Sequence, residues 1–196
     1  IRIYGNAQVD LVDWSINLGI IKCGLRSERG KVAIGDSANV DICSQICGIY
    51  AESDIYIGYV WDEDESKYVA SGSPTVIINE EDSIPENFTI ANANGFKASN
   101  MLISGGTLIA TGGEAVSSAK GESIINLNMP HRYRTNTQTE PDGDYTYVKD
   151  INSTYEISES VKYYEVSAIY NITKEDSENG DFNFVLNNGD VNQIVN

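Results

Sequence analysis

Histidine is all but missing from these 196 residues: His131 stands alone, and the three cysteines, Cys23, Cys43 and Cys47, form no Cys-x-x-Cys pair. A zinc site built from Cys and His is therefore not expected, because tetrahedral zinc needs about four such ligands at suitable spacings. Basic residues are scarce too. Thirteen Lys and Arg face 29 Asp and Glu, for a net charge of −16. Nucleic-acid binding calls for a basic footprint that displaces phosphate counterions, and anionic lipid also attracts positive charge, so neither partner fits. No segment reaches the ~18–20 uninterrupted apolar residues of a membrane span, so no membrane insertion is expected. Helical periodicity is wanting as well: no window sustains i, i+3, i+4, i+7 apolar spacing behind an N-cap, and Ala115 to Lys120 offers one short turn at most.

What is present points one way. Twenty-four Ile and 19 Asn accompany 17 Gly and only four Pro. β-branched side chains suit strands, whereas Asn and Gly suit tight turns with positive φ. The chain reads as all-β. At 41% hydrophobic residues it can bury a core, and its length suits one domain, or one long domain with a small appendage. It opens on Ile1-Arg2-Ile3, already strand-like and without Met, as a piece of a longer chain would. The cysteines read as small buried apolar residues. The alternative is a disulfide from Cys23 to Cys43 or to Cys47.

Self-similarity sets the architecture. Residues 1–20 laid over 32–49 place Ile1 on Val32, Ile3 on Ile34, Ala7 on Ala38, Val9 on Val40, Asp10 on Asp41 and Leu11 on Ile42. Short aliphatic pairs then recur: Val32/Ile34, Ile55/Ile57, Met101/Ile103 and Ile125/Leu127, at spacings of 23, 46 (twice 23) and 24. Between them lie the strand-like runs Thr75–Ile78 and Phe88–Ala91, and an acidic stretch from Trp61 to Lys67 that reads as a solvated loop. A period near 23, with two or three short strands per repeat, fits a parallel β-solenoid. Each repeat makes one turn, and its backbone pairs with the turns above and below. The Ile-x-Ile alternation sends Ile inward, with corners at Gly5-Asn6, Gly35-Asp36 and Gly105-Gly106. A β-sandwich would also show short strands, but it would not produce the six-pair match.

The stretch Ile103-Ser104-Gly105-Gly106-Thr107-Leu108-Ile109-Ala110-Thr111-Gly112-Gly113 resembles the glycine-rich repeats of bacterial cell-surface proteins with right-handed β-helix domains. The segments Ile1–Leu11 and Val32–Ile42 look like degenerate copies of the same unit, so the resemblance covers about residues 1–128. It implies a right-handed parallel β-helix in a secreted or wall-attached protein, extracellular or at the cell surface. It also implies carbohydrate binding, a label that some members of the group carry.

From Met129-Pro130 the texture changes. Residues 131–196 hold seven of the twelve Tyr and none of the 23-residue rhythm. Strand signals lie at His131–Thr137, Asp144–Val148, Val161–Ile172 and Phe182–Leu186, with turns at Pro141-Asp142-Gly143 and Asn187-Asn188-Gly189. Residues 129–196 are expected to form an antiparallel β cap over the open solenoid end, or else a small β-domain.

Sugar binding would use exposed aromatic rings with polar neighbours. Tyr56 lies between inward-facing Ile55 and Ile57 and should point outward, with Tyr59, Trp61 and Tyr68 close by in sequence. These four form the candidate surface for a polysaccharide or host glycan, against the plainer reading of a loop packed on the wall. Asp62 and Asp64, in an acidic run with Glu63 and Glu65, are the candidate metal ligands. Calcium is the ion that oxygen donors would favour, although the run matches no EF-hand loop. Asp142 and Asp144 offer a second acidic pair. Asp10 and Asp41 fall on equivalent positions of the repeat and read first as a solvated ladder of turn-facing Asp; the alternative is a calcium site or the paired carboxylates of a polysaccharide lyase or glycoside hydrolase. That enzymatic reading is the alternative to a non-enzymatic adhesion or glycan-binding module, or a rigid spacer presenting one. No Gly-x-Ser-x-Gly elbow accompanies His131.

Overall fold

The computed structural model describes residues 2–3, 9–12, 15–79, 89–90, 93–118, 124–158, 160–169, 171–176, 182–188 and 191–195, with side chains described within 23–169. Every regular element is a strand, and no helix occurs among the described residues. The strands are numbered β1 to β21 in chain order.

The recurring aliphatic pairs build the first sheet. β2 (Val9–Val12), β4 (Val32–Gly35), β6 (Asp54–Ile57), β11 (Asn100–Ile103) and β14 (Ile124–Leu127) pair in parallel. Their register aligns Val9, Val32, Ile55, Met101 and Ile125 in one row and Leu11, Ile34, Ile57, Ile103 and Leu127 in the next row of the same face. From Val32 onward these side chains are at most 2% exposed, so the rows are columns of the core. A column of aliphatic side chains keeps the pleat in register, because a one-residue slip would turn every Ile to solvent. β17 (Ser153–Glu156) ends this sheet, antiparallel to β14.

The second sheet begins with β1 (Arg2–Ile3) and the thirteen-residue strands β3 (Ser15–Ser27) and β5 (Asn39–Ala51), followed by β9 (Thr75–Ile78) and β12 (Thr107–Thr111), all parallel. Its rows run Ile16, Val40, Val76, Leu108 and Leu18, Ile42, Ile78, Ala110. β3 and β5 lose register between Leu18 and Cys23, and beyond that bulge β5 pairs with β10 (Asn94–Lys97), which pairs with β13 (Glu114–Ser117). Antiparallel β18 (Tyr163–Ala168), β15 (His131–Asn136) and β16 (Thr146–Val148) complete the sheet on the β12 side. The sheets are thus mixed, with parallel ladders continued by antiparallel strands. A third sheet is an antiparallel meander of β19 (Asn171–Asp176), β20 (Phe182–Asn188) and β21 (Val191–Val195).

Several expectations need correction. The match at an offset of 31 is not the stacking register: Ile3 pairs with Ser27, and the residue lying on Ile34 is Leu11, 23 positions before it. Asp10 pairs with Ala33 in the first sheet and Asp41 with Asn17 and Ile77 in the second, so the two carboxylates share no row. The Ala115–Lys120 turn is strand as far as Ser117, because Phe96 and Lys97 offer Val116 and Ser117 a parallel partner; residues 119–120 lie outside the described set. The acidic stretch is a hairpin rather than a loop: β7 (Tyr59–Asp62) and β8 (Lys67–Ala70) are antiparallel, and residues 63–66 make the turn. The signal at Val161–Ile172 divides between β18 and β19, and β17 and β21 carried no recognised signal. Thr89 and Ile90 are not strand, whereas Phe88 and Ala91 lie outside the described residues, as do Gly5 and Asn6.

One expected corner is enforced sterically. Gly106 has φ +91, and a Cβ there would lie 2.1 Å from the Pro74 carbonyl oxygen, which accepts the Thr107 amide at 2.9 Å. A side chain cannot be accommodated between these stacked corners.

Candidate functional site

The hairpin β7–β8 rises from the first sheet just after Gly58, whose amide donates to the Ile34 carbonyl. Asp36, at φ +50, closes its base: its amide donates to the Ser71 carbonyl, its carbonyl accepts the Ser73 amide, and its carboxylate accepts the Ser71 hydroxyl. The excursion is therefore pinned to the wall at both ends.

That geometry brings the four candidate aromatics together. Tyr56 projects from β6, and its ring stacks on Tyr68 with centroids 4.2 Å apart and 20° between planes. Trp61 lies directly across the hairpin from Tyr68 and meets it edge-on at 5.3 Å. Tyr59 meets Tyr56 edge-on at 5.5 Å. The four differ in access. Tyr59 is 7% exposed and anchors the base of the hairpin, with its hydroxyl accepting a hydrogen bond from Asn128 at 2.6 Å. Burial raises its pKa, although hydrogen bonds from Asn128 and Ser104 oppose that. Trp61, at 38%, presents the open ring, and Tyr56 and Tyr68 are half-buried behind it.

A polar row borders these rings. Lys31 Nζ lies 5.2 Å from the centre of the Tyr56 ring and 5.6 Å from that of Tyr68, and donates to the Tyr56 hydroxyl at 3.3 Å. It also lies 3.7 Å from Asp54, whose carboxylate accepts Asn100 Nδ2 at 2.9 Å and the Ser53 hydroxyl at 2.9 Å. Sequence reasoning missed Lys31, Asp54 and Asn100, yet the signal was there. Asp54 and Asn100 are partners in the register that pairs Ile55 with Met101, and Lys31 directly precedes Val32, the partner of Ile55.

The acidic candidates behave differently. Asp62 Oδ1 accepts the Glu65 amide at 2.9 Å and thereby forms the hairpin turn, while Lys67 pairs with Glu65. Asp64 lies exposed in that turn. Among the described residues no group of three or more His, Cys, Asp or Glu side chains could hold a metal ion. Asp142 and Asp144 are exposed beside the Gly143 turn, where Asp142 accepts the Gly143 amide. His131 is fully buried, with Nδ1 2.9 Å from the Met129 carbonyl and Nε2 3.2 Å from the Tyr155 hydroxyl. Burial lowers its pKa, with the Met129 contact opposing.

A second polar cluster went unrecognised in the sequence. Glu165 of β18, 6% exposed, accepts from Arg134 at 2.7 Å, Tyr145 at 2.6 Å and Tyr163 at 2.7 Å. Burial alone would raise its pKa, but the two phenols and the guanidinium outweigh it and hold the carboxyl below its ordinary range. With three donors converging on one carboxylate, this is a structural knot joining β15 to β18.

Compared with protein-family models, curated proteins and solved structures, the chain finds no match. No helix among the described residues is long and apolar enough to cross a membrane.

Proposed function

We propose that the chain is a non-enzymatic surface module of a bacterial protein that binds a glycan, built on a right-handed parallel β-helix with an antiparallel C-terminal cap. The architecture is supported by the aliphatic columns of the two parallel sheets, whose strands alternate along the chain. Parallel strands joined through a crossover are right-handed in about 98% of cases. Strands β17 and β18 run antiparallel on the last rungs, where a cap belongs. An extracellular or cell-surface location follows from the resemblance of the glycine-rich segment.

The observation that carries the binding function is the open Trp61 ring, backed by the stacked Tyr56–Tyr68 pair and bordered by Lys31, Asp54 and Asn100. A sugar offers an apolar face to an aromatic ring and hydroxyls to neighbouring amides and carboxylates, so this combination suits it. The test is a glycan array followed by calorimetry on the best ligand. Trp61→Ala is expected to weaken binding at least about tenfold, a loss of about 1.4 kcal/mol, with an unchanged unfolding midpoint. Failure of every glycan to bind, or binding indifferent to Trp61→Ala, refutes the reading. Release of reducing sugar or unsaturated uronate from a polysaccharide would instead establish the alternative, a lyase or hydrolase.

A further inference from the structure

We propose that Cys23 and Cys47 are a redox-active pair that closes to a disulfide across β3 and β5. The two are Cα partners in a parallel ladder. Neighbouring strands lie about 4.8 Å apart, within the ~4.4–6.8 Å separation of Cα atoms that a disulfide spans. All three thiols are free in the structure. Cys43 has no such partner: it sits between Ile42 and Ser44, which pair with Leu18 and Ile21.

The pair is asymmetric. Cys23 is partly exposed and feels the Arg26 guanidinium, whose Nε is paired with Glu28 at 3.0 Å. A small disulfide in solution therefore finds an accessible sulfur at Cys23. Cys47 is 3% exposed, and its thiol donates to the Ile49 carbonyl at 3.4 Å. Burial, with Cys23 alongside, pushes its pKa up to about 12, so Cys23 is the sulfur that a soluble disulfide reaches first, and Cys47 is placed by the ladder to meet it.

The oxidant class is a small-molecule disulfide such as oxidised glutathione. The Cys23 thiol loses its proton and its sulfur attacks one glutathione sulfur; the S–S bond breaks, and one glutathione leaves as a thiolate that takes up a proton. Cys47 then loses its proton and attacks Cys23 Sγ, expelling the second glutathione. Two protein thiols and one glutathione disulfide become one protein disulfide and two glutathione thiols. The crosslink ties the first long strand to the second.

Incubating the folded chain with oxidised glutathione tests this by intact mass and peptide mapping. The expected product is lighter by two hydrogens, joins the Cys23 and Cys47 peptides, and reverts on reduction, with Cys43 alkylated only after unfolding. Its thermal midpoint should rise by about 5–10 °C. Cys47→Ser should stop at a glutathione adduct on Cys23, whereas Cys43→Ser should oxidise as the parent does. A lasting Cys23 adduct in the parent chain, a link through Cys43, or no reaction of the folded chain would each overturn the proposal.

Discussion

Replacing Asn79 by Ala isolates what holds neighbouring strands of the second sheet together away from the aliphatic columns. Asn79 is fully buried and directly follows β9, with φ +56. Its Oδ1 accepts the Ser44 amide at 2.6 Å and its Nδ2 donates to the Thr111 carbonyl at 3.0 Å, so one side chain bridges the segments before and after its own. Its own amide donates to the Ile42 carbonyl at 2.8 Å. Alanine removes both side-chain bonds and leaves the Ser44 N–H and Thr111 C=O unpaired, at about 1–3 kcal/mol each. It also puts a Cβ residue in the left-handed region without Asn's tolerance of it, adding about 1 kcal/mol. The expected loss is about 3–7 kcal/mol, a large share of a typical ~5–15 kcal/mol stability. Urea unfolding followed by circular dichroism reads it as a lower midpoint at unchanged slope. Asn79→Gly should recover only the backbone part, about 1 kcal/mol. A loss under about 0.5 kcal/mol for Asn79→Ala would refute the bridging role.

Acid should destabilise the chain in two separate windows. His131 has a lowered pKa when folded, so the unfolded state binds the extra proton; stability falls as pH drops below about 6.5, and His131→Gln should remove that slope in urea midpoints. Glu165 also binds its proton less readily when folded, so its contribution is present above about pH 4.3 and lost as pH falls further. Glu165→Gln should cost about 2–4 kcal/mol at neutral pH and flatten the acid limb, as pH-dependent urea titration would record. Tyr164 is buried with no partner for its hydroxyl among the described residues, so Tyr164→Phe should unfold at the same or a higher urea midpoint.

The core was legible because burial writes itself into alternation. Ile34, Ile57, Ile103 and Leu127 recur at the spacing by which their strands stack, and the pairs at 55/57 and 101/103 marked strand positions closely. The longer six-pair match misled, since Ile and Val recur on most of the parallel strands and an offset of 31 lays strands of one sheet on strands of the other. The aromatic cluster was legible in part. Tyr56 pointed outward as the alternation required, but the burial of Tyr59 depends on Asn128, 69 residues away, which no local pattern reveals. Lys31 and Asn100 reach the site through register rather than proximity in sequence. The Glu165 knot was invisible for the same reason, as its donors come from β15, β18 and Tyr145.

Interstrand NOEs on isotopically labelled protein examine the stacking register without perturbing it. The account predicts backbone contacts of parallel pairing between 32–34 and 55–57, between 55–57 and 101–103, and between 101–103 and 125–127, with methyl contacts linking Ile34, Ile57, Ile103 and Leu127 in that order. Antiparallel contacts among these segments, or Ile3 in place of Leu11 beside Ile34, would contradict it.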